Sequence, residues 1–291
     1  MNVRDRADLH THSNVSDGID PPAHLVEMAE ELELGAVALT DHDTLDGLKD
    51  FLSTGHSDCV RLVPGVEIST TYREKEAHLL GYFVPPDAIR LQKRLRWLED
   101  VRKRRFPKMV DRLEELDIEF SDEDIEDVLE GVQTPGRPHL ARLLVESGVV
   151  EDTVEAFDIY LGKGRPGYVK KDLMDIEEGI DLLRETGSVP VLAHPFTVKL
   201  DALDDDLKDL KDMGMLGIEV HYEYGHLHLN PDNERLARIA EKLDLIPTGG
   251  SDHHGDQERQ LIGSVTVDME IVNRLSDASV ELGGAGLEMG R

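Results

Sequence analysis

DLHTHSNVSDG (residues 8–18) sets His10 and His12 one residue apart, and TDHDT (40–44) holds His42 between Asp41 and Asp43. Residues i and i+2 of a strand point to the same side. His10 and His12 therefore project together, as two ligands of one ion would. The surrounding pattern supports the strand. ADLHTH (7–12) is a short strand-like run, and PPAHLVEMAEELEL (21–34) has helical spacing, with Asp20 expected as its N-cap before Pro21. AVALTDH (36–42), VRLVPGVEIST (60–70) and AHLLGYFV (77–84) read as strands. SVPVLAHP (188–195), LGIEVHY (216–222) and LIPTGGSDHH (245–254) each follow an amphipathic helical stretch. Strands alternating with helices predict an α/β fold built on a parallel sheet or barrel.

The middle of the chain breaks the alternation. From about residue 87 to 186 strand patterning is scarce. RLQKRLRWLEDVRKRRFPKMVDRLEEL reads as a long helix that Pro107 kinks or divides. SDEDIEDVLEG, RPHLARLLVESG and TVEAFDIYLG are shorter helices. The expected organisation is a barrel from 1–86 and 187–282, a helical insertion over 87–186 that caps it, and a loose tail at 283–291.

Each charged or imidazole-bearing motif falls at the C-terminal end of an expected strand, the end that carries chemistry in parallel α/β barrels. The set is His10, His12, Asp17, His42, Glu67, His78, His194, Asp252 and His254. Nitrogen and oxygen donors recur there with no cysteine among them, which structural packing alone does not require. Imidazole and carboxylate together suit Mn²⁺, Fe²⁺ or Zn²⁺.

At this point the chain resembles a family. DLHTHSNVSDG, TDHDT, PGVEIS, HLLGY, AHP and GSDHH look like the signature motifs of the polymerase-and-histidinol-phosphatase (PHP) superfamily, in order from residue 8 to about 255. The SDG and the helical insertion resemble the small phosphoesterases acting on nucleoside 3',5'-bisphosphates and RNA 5' ends. The resemblance implies a distorted seven-stranded (β/α) barrel with a helical cap and three divalent ions, Mn²⁺ foremost. It implies that His10, His12, Glu67 and Asp252 hold one ion. Glu67 would bridge to a second completed by His78 and His194, and Asp17, His42 and His254 would hold the third. Asp17 stands where some relatives carry histidine, which favours the bisphosphatase branch over histidinol phosphatase. A different phosphomonoesterase, or a noncatalytic metal-binding module, is the alternative; degenerate modules discard ligands, and here all nine are present.

Divalent ions lower the pKa of bound water, from 15.7 toward about 7 in favourable cases, and so supply hydroxide without a protein nucleophile. Beside Glu67, Asp41 and Asp43 are expected either to orient ligands or to protonate the leaving group. GRPH (136–139) and LGKGRPGYVKK (161–171) concentrate base in an acidic chain, so Arg137, His139, Lys163, Arg165 and Lys170 are candidates to grip a second phosphate. One of His221, His226 and His228 is expected to line the pocket; His253 is expected to stand back from the ions, and His24 and His56 to lie on the surface.

Acidic residues number 61 against 32 Lys and Arg, a formal net of −29. Such a surface repels itself unless salt screens it, and at ~1 M salt the screening length is about 3 Å. The expectation is the cytoplasm of a salt-accumulating halophile. The charge opposes stable DNA binding and adhesion to anionic lipid. The single Cys59 excludes an internal disulfide and reads as a small packing residue. The first ten residues lack the apolar run of a signal peptide, and no stretch approaches the ~20 apolar residues of a membrane span. The expected partners are nucleotides or short RNA.

Overall fold

The structure is a computed structural model that describes residues 3–54, 60–131, 135–227, 229, 231–255 and 260–290. His56, Cys59, His228 and the His226 side chain lie outside the described residues. The strands are β1 (Arg6–Asp8), β2 (Ala36–Leu39), β3 (Arg61–Tyr72), β4 (Lys75–Tyr82), β5 (Met174–Asp175), β6 (Val189–Leu192), β7 (Gly217–His221), β8 (Ile246–Gly249) and β9 (Val267–Asp268). They pair in the order β8-β7-β6-β4-β3-β2-β1-β9, with β5 added to β3. Past β1 the chain reaches β8 itself: Leu9 N donates to Gly249 O at 3.3 Å and His12 N to His253 O at 2.8 Å. Those bonds nearly close a barrel of β1, β2, β3, β4, β6, β7 and β8.

The barrel is mixed, not parallel throughout. β3 turns straight into β4 through Arg73 and Glu74, both at positive φ (47° and 65°). Two such residues make the tight turn that suits the twist of a hairpin, so β4 runs antiparallel to β3 and, in turn, to β6. The β1–β2, β2–β3, β6–β7 and β7–β8 pairs are parallel.

Alternation along the strands sorts the core. Ala7, Leu9, Ala36, Ala38, Val63, Leu80, Val189 and Val191 meet in one buried cluster, the barrel interior, which Val272 and Leu275 of α10 (Met269–Glu281) close. The intervening Val37, Leu39, Leu62, Leu79 and Leu192 face outward to the helices: α1 (Pro22–Glu31), α2 (Leu48–Ser53), α7 (Ile176–Glu185), α8 (Leu203–Asp212) and α9 (Asn233–Lys242). The N-cap of α1 is Pro21, not Asp20; the Asp20 carboxylate meets His253 Nε2 at 3.1 Å instead.

α3 (Ile89–Glu114) ties the insertion to the barrel as one undivided helix. Pro107 sits on its exposed face, where water can satisfy the carbonyl that proline frees. Leu91, Leu95 and Leu98 pack on the barrel's outer core. About three turns further, Met109 and Leu113 pack with Leu140 and Leu144 of α5 (Arg137–Glu146) and Ala156 of α6 (Thr153–Ala156), in a separate core. α4 (Asp122–Gly131) adds Ile125, Val128 and Leu129 to that core's edge. Among the described residues, no helix is long and apolar enough to cross a membrane.

Candidate metal centre

Five of the other eight expected donors meet Glu67. His10 Nε2, His12 Nε2 and His42 Nδ1 stand 3.2, 3.2 and 3.3 Å from its Oε2, and His78 Nδ1 and His194 Nε2 each 3.0 Å from its Oε1. Asp252 Oδ1 lies 3.4 Å from His10 Nε2 and 3.1 Å from His12 Nε2. Asp17 lies 3.2 Å from His254 Nε2 and 3.8 Å from both His12 and His42. Donor atoms of His10, His12, Glu67 and Asp252 fall within 4.8 Å of one another, as do those of His12, Asp17, His42 and His254, and of His42, Glu67 and His78.

Two of the donors are not at strand ends. Glu67 is in the middle of β3 and His78 in the middle of the reversed β4, because the hairpin carries β3 past the barrel mouth. Three neighbours pay for the geometry in backbone strain: Asp43, His194 and Asp252 all have positive φ (56°, 25° and 55°), an arrangement that concentrates at functional sites.

The electrostatics fit cations. Burial would push His12 down, but the Asp252 and Glu67 carboxylates 3.1 and 3.2 Å away outweigh it and raise the ring to about 9. Burial would push Glu67 up, but His42, His10 and His78 hold it well below the usual carboxylate range, and Asp17 and Asp252 are lowered likewise by surrounding imidazoles. His42 goes the other way: burial drives it well below its ordinary value and keeps it neutral, as a ligand imidazole must be. Neither ring nitrogen of the buried His12, nor His42 Nδ1, completes a hydrogen bond. Buried polar atoms without partners are costly, so nitrogens crowded around carboxylates without bonding them are placed for something else. Divalent cations fit this donor set.

A ring of further groups fixes the donors. Glu219, in β7, takes His10 Nδ1 at 2.9 Å and accepts from His194 N at 2.7 Å, leaving His10 Nε2 aimed at Glu67. A carboxylate behind a ligand imidazole sets tautomer and orientation. Glu219 escaped the sequence reading; its signal is a lone acid among buried apolar residues of a strand. Asp41 accepts from Ser13 N (2.7 Å), Ser13 Oγ (2.6 Å) and Ser16 Oγ (2.6 Å), clasping the loop that carries Asp17. Asp43 accepts from Ser69 N (2.6 Å) and from Arg102 Nε (2.7 Å). Despite burial, Arg102 and Lys171 hold it well below the carboxylate range, so at neutral pH it has no proton to give. Tyr222 Oη donates to Asp252 Oδ2 at 2.8 Å, and His194 Nδ1 meets Thr197 Oγ1 at 2.9 Å.

A cavity of about 450 Å³ opens from this cluster into the insertion. Four cations line it, Arg102, Arg105, Arg137 and Lys171, beside the carboxylates of Glu76 and Asp158; Arg137 lies 3.8 Å from Glu76. Of the residues expected to grip phosphate, Arg137 is there. Lys163, Arg165 and Lys170 are exposed and outside the lining, His221 is exposed at the end of β7, and His139 is buried with Nδ1 accepting from Gly136 N at 3.2 Å. His253 bonds Asp20 and accepts from Ile262 N at 3.1 Å, away from the cluster. Lys171, the buried neighbour of Lys170, lines the cavity instead. Burial, with Arg102 alongside, pushes Lys171 down to about 7, and its Nζ donates to Ser69 Oγ at 2.7 Å.

A barrel mouth ringed by imidazoles and carboxylates, opening on a cationic pocket, defines a metal-dependent phosphoesterase. Residues 8–116 match the PHP domain. The chain is 33% identical over 256 residues to the 5'-3' exoribonuclease Rnm of Escherichia coli K12, covering 85% of this chain and 84% of that one. It is 29% identical over 253 residues to the 3',5'-nucleoside bisphosphate phosphatase of Chromobacterium violaceum, covering 86% and 88%. Among solved structures, a Bifidobacterium adolescentis protein described as a metal-dependent phosphoesterase superposes with a TM-score of 0.84 at 29% identity, over 94% of this chain and 96% of that one. The chain belongs to the PHP family and is a hydrolase of phosphate ester bonds.

Proposed function

We propose that the chain hydrolyses nucleoside 3',5'-bisphosphates and the 5' ends of short RNA with three divalent ions. The observation that carries this is the presence in one cavity of the donor cluster around Glu67 and of four cations. In this reading His10, His12, Glu67 and Asp252 hold one ion, Glu67, His78 and His194 a second, and Asp17, His42 and His254 the third. Such ions, when bound, supply Lewis acidity and a lowered water pKa. The chain's own part is placement. Glu219 turns His10, Asp41 holds the Asp17 loop, and Arg102, Arg105, Arg137 and Lys171 receive the phosphate that is not cleaved. Ionised and paired, Asp43 is assigned to positioning Arg102, not to proton donation. Salt screens the long-range repulsion between the −29 surface and a polyanion, and screens the buried cations much less.

Protein purified with Mn²⁺ is expected to hold more than two ions per chain by elemental analysis. A content near one under saturating titration would remove the trinuclear assignment.

The substrate reading is tested by comparison of a nucleoside 3',5'-bisphosphate with the matching 3'-monophosphate. Charge-assisted contacts contribute about 1.5–3 kcal/mol, so the bisphosphate is expected to be roughly tenfold to a hundredfold better by kcat/KM. Lys171→Met should narrow that ratio while leaving the monophosphate rate close to wild type. Equal rates on the two substrates would show that the cationic corner does not receive a phosphate.

A further inference from the structure

The outer part of the cavity has a chemistry that neither the metal cluster nor the phosphate corner uses. Val154 of α6, Phe157 and Leu227 line it together. Val154 is 36% and Leu227 41% exposed. A lone surface hydrophobe is ordinary, but these two come from separate elements and face one opening. Phe157 begins a π-helical turn, Phe157–Leu161, a rare conformation that gathers at functional sites. Leu227 ends a 3₁₀ turn, Gly225–Leu227, beyond β7. Arg137 joins the two chemistries, since it lines the cationic corner while its guanidinium lies 5.6 Å from the centre of the Phe157 ring. An apolar shelf thus adjoins a phosphate grip, and a 5'-nucleotide presents a flat base and a phosphate in the same adjacency.

We infer that Phe157, flanked by Val154 and Leu227, is a shelf for the nucleobase of the substrate's 5'-terminal nucleotide. This rests on the nucleotide reading above and adds the part of the substrate that reading leaves unplaced. The three shelf side chains carry no hydrogen-bonding group, so the base is held by stacking and apolar contact, which every base can make. The consequence is a base-tolerant enzyme that nevertheless needs a base. A cavity of this volume is within the range that encloses small ligands.

The test compares kcat/KM for the four nucleoside 3',5'-bisphosphates with that for 1-deoxyribose 3,5-bisphosphate, which lacks a base, in wild type, Phe157→Ala, Phe157→Tyr and Leu227→Ser. In wild type the four bases should agree within about fivefold, and the baseless substrate should be about tenfold poorer, the scale of one base–aromatic stack. Phe157→Ala should lose about tenfold more on the nucleotides than on the baseless substrate, with Phe157→Tyr restoring the nucleotide rate. Phe157 also touches the insertion's core, so the exposed Leu227→Ser supplies an arm free of folding loss; it should be selectively poorer on nucleotides by about threefold. Equal wild-type rates with and without a base would overturn the shelf and leave the phosphoesterase reading standing. Equal losses on both substrates in Phe157→Ala and Leu227→Ser would do the same. If wild type hydrolyses none of these bisphosphates, the nucleotide reading itself falls and the shelf with it.

Discussion

Glu67→Gln is expected to reduce hydrolysis by more than about 100-fold. Five imidazoles point at this carboxylate from four stretches of chain, all within 3.3 Å. The substitution keeps the shape and removes the charge. Replacing a group that only supports a metal ligand costs about 10–100-fold. Here five imidazoles lose the charge they share, so the loss is expected to exceed that range. Asp43→Asn and Glu219→Gln act through other residues, where losses of about 10–100-fold are usual. Glu219→Gln should also weaken metal retention, measurable by chelator competition, since it frees His10 to rotate. If Glu67→Gln and Asp43→Asn keep equal activity, the centre of the site has been misplaced.

How much of this was legible before folding depends on whether the signal is local. His10 and His12 could be paired from strand periodicity alone, and the remaining donors from their recurrence beside apolar runs. Convergence on Glu67 could not, because it requires β3 to overrun the barrel and return. The hairpin responsible was hidden: its turn is Arg73-Glu74, where Asn-Gly would have announced positive φ. The cationic corner shows the opposite error. Exposed Lys163, Arg165 and Lys170 drew attention by local density, whereas density of charge is the ordinary property of a solvated loop. The better signal lay in α3. Leu91, Leu95, Leu98, Arg102, Arg105 and Met109 form one stripe at spacings of three and four, all buried. Two arginines occupy apolar positions of that stripe, at the turn where α3 leaves the barrel core for the insertion core. An arginine in a buried stripe demands an anion, and here there are Asp43 and, in the proposed reading, phosphate.

That placement makes Arg102→Met the variant with the largest expected stability loss outside the metal cluster. Arg102 is buried, its Nε donates to Asp43 at 2.7 Å, and its second nitrogen donates to Ser69 Oγ at 3.0 Å. Methionine fits the stem's volume but leaves Asp43 buried and ionised. Stranding one partner of a buried pair costs about 3–5 kcal/mol. Lys171 Nζ, 3.8 Å from the same carboxylate, offsets part of this, so the lower end is expected: a fall in Tm of roughly 6–12 °C at about 2–4 °C per kcal/mol. The double variant Asp43→Asn/Arg102→Met removes both charges. Asparagine is among the residues that accept positive φ, so the strained backbone at residue 43 is kept. The double variant should therefore be more stable than Arg102→Met alone, with a coupling energy within the 0.5–3 kcal/mol seen for residues in direct contact. Its preference for bisphosphate over monophosphate should not recover, because the cation facing the cavity is still missing. Additive losses in the double-mutant cycle would show that Asp43 does not need Arg102. Recovery of the bisphosphate preference along with stability would show that Arg102 supports the fold and not the substrate.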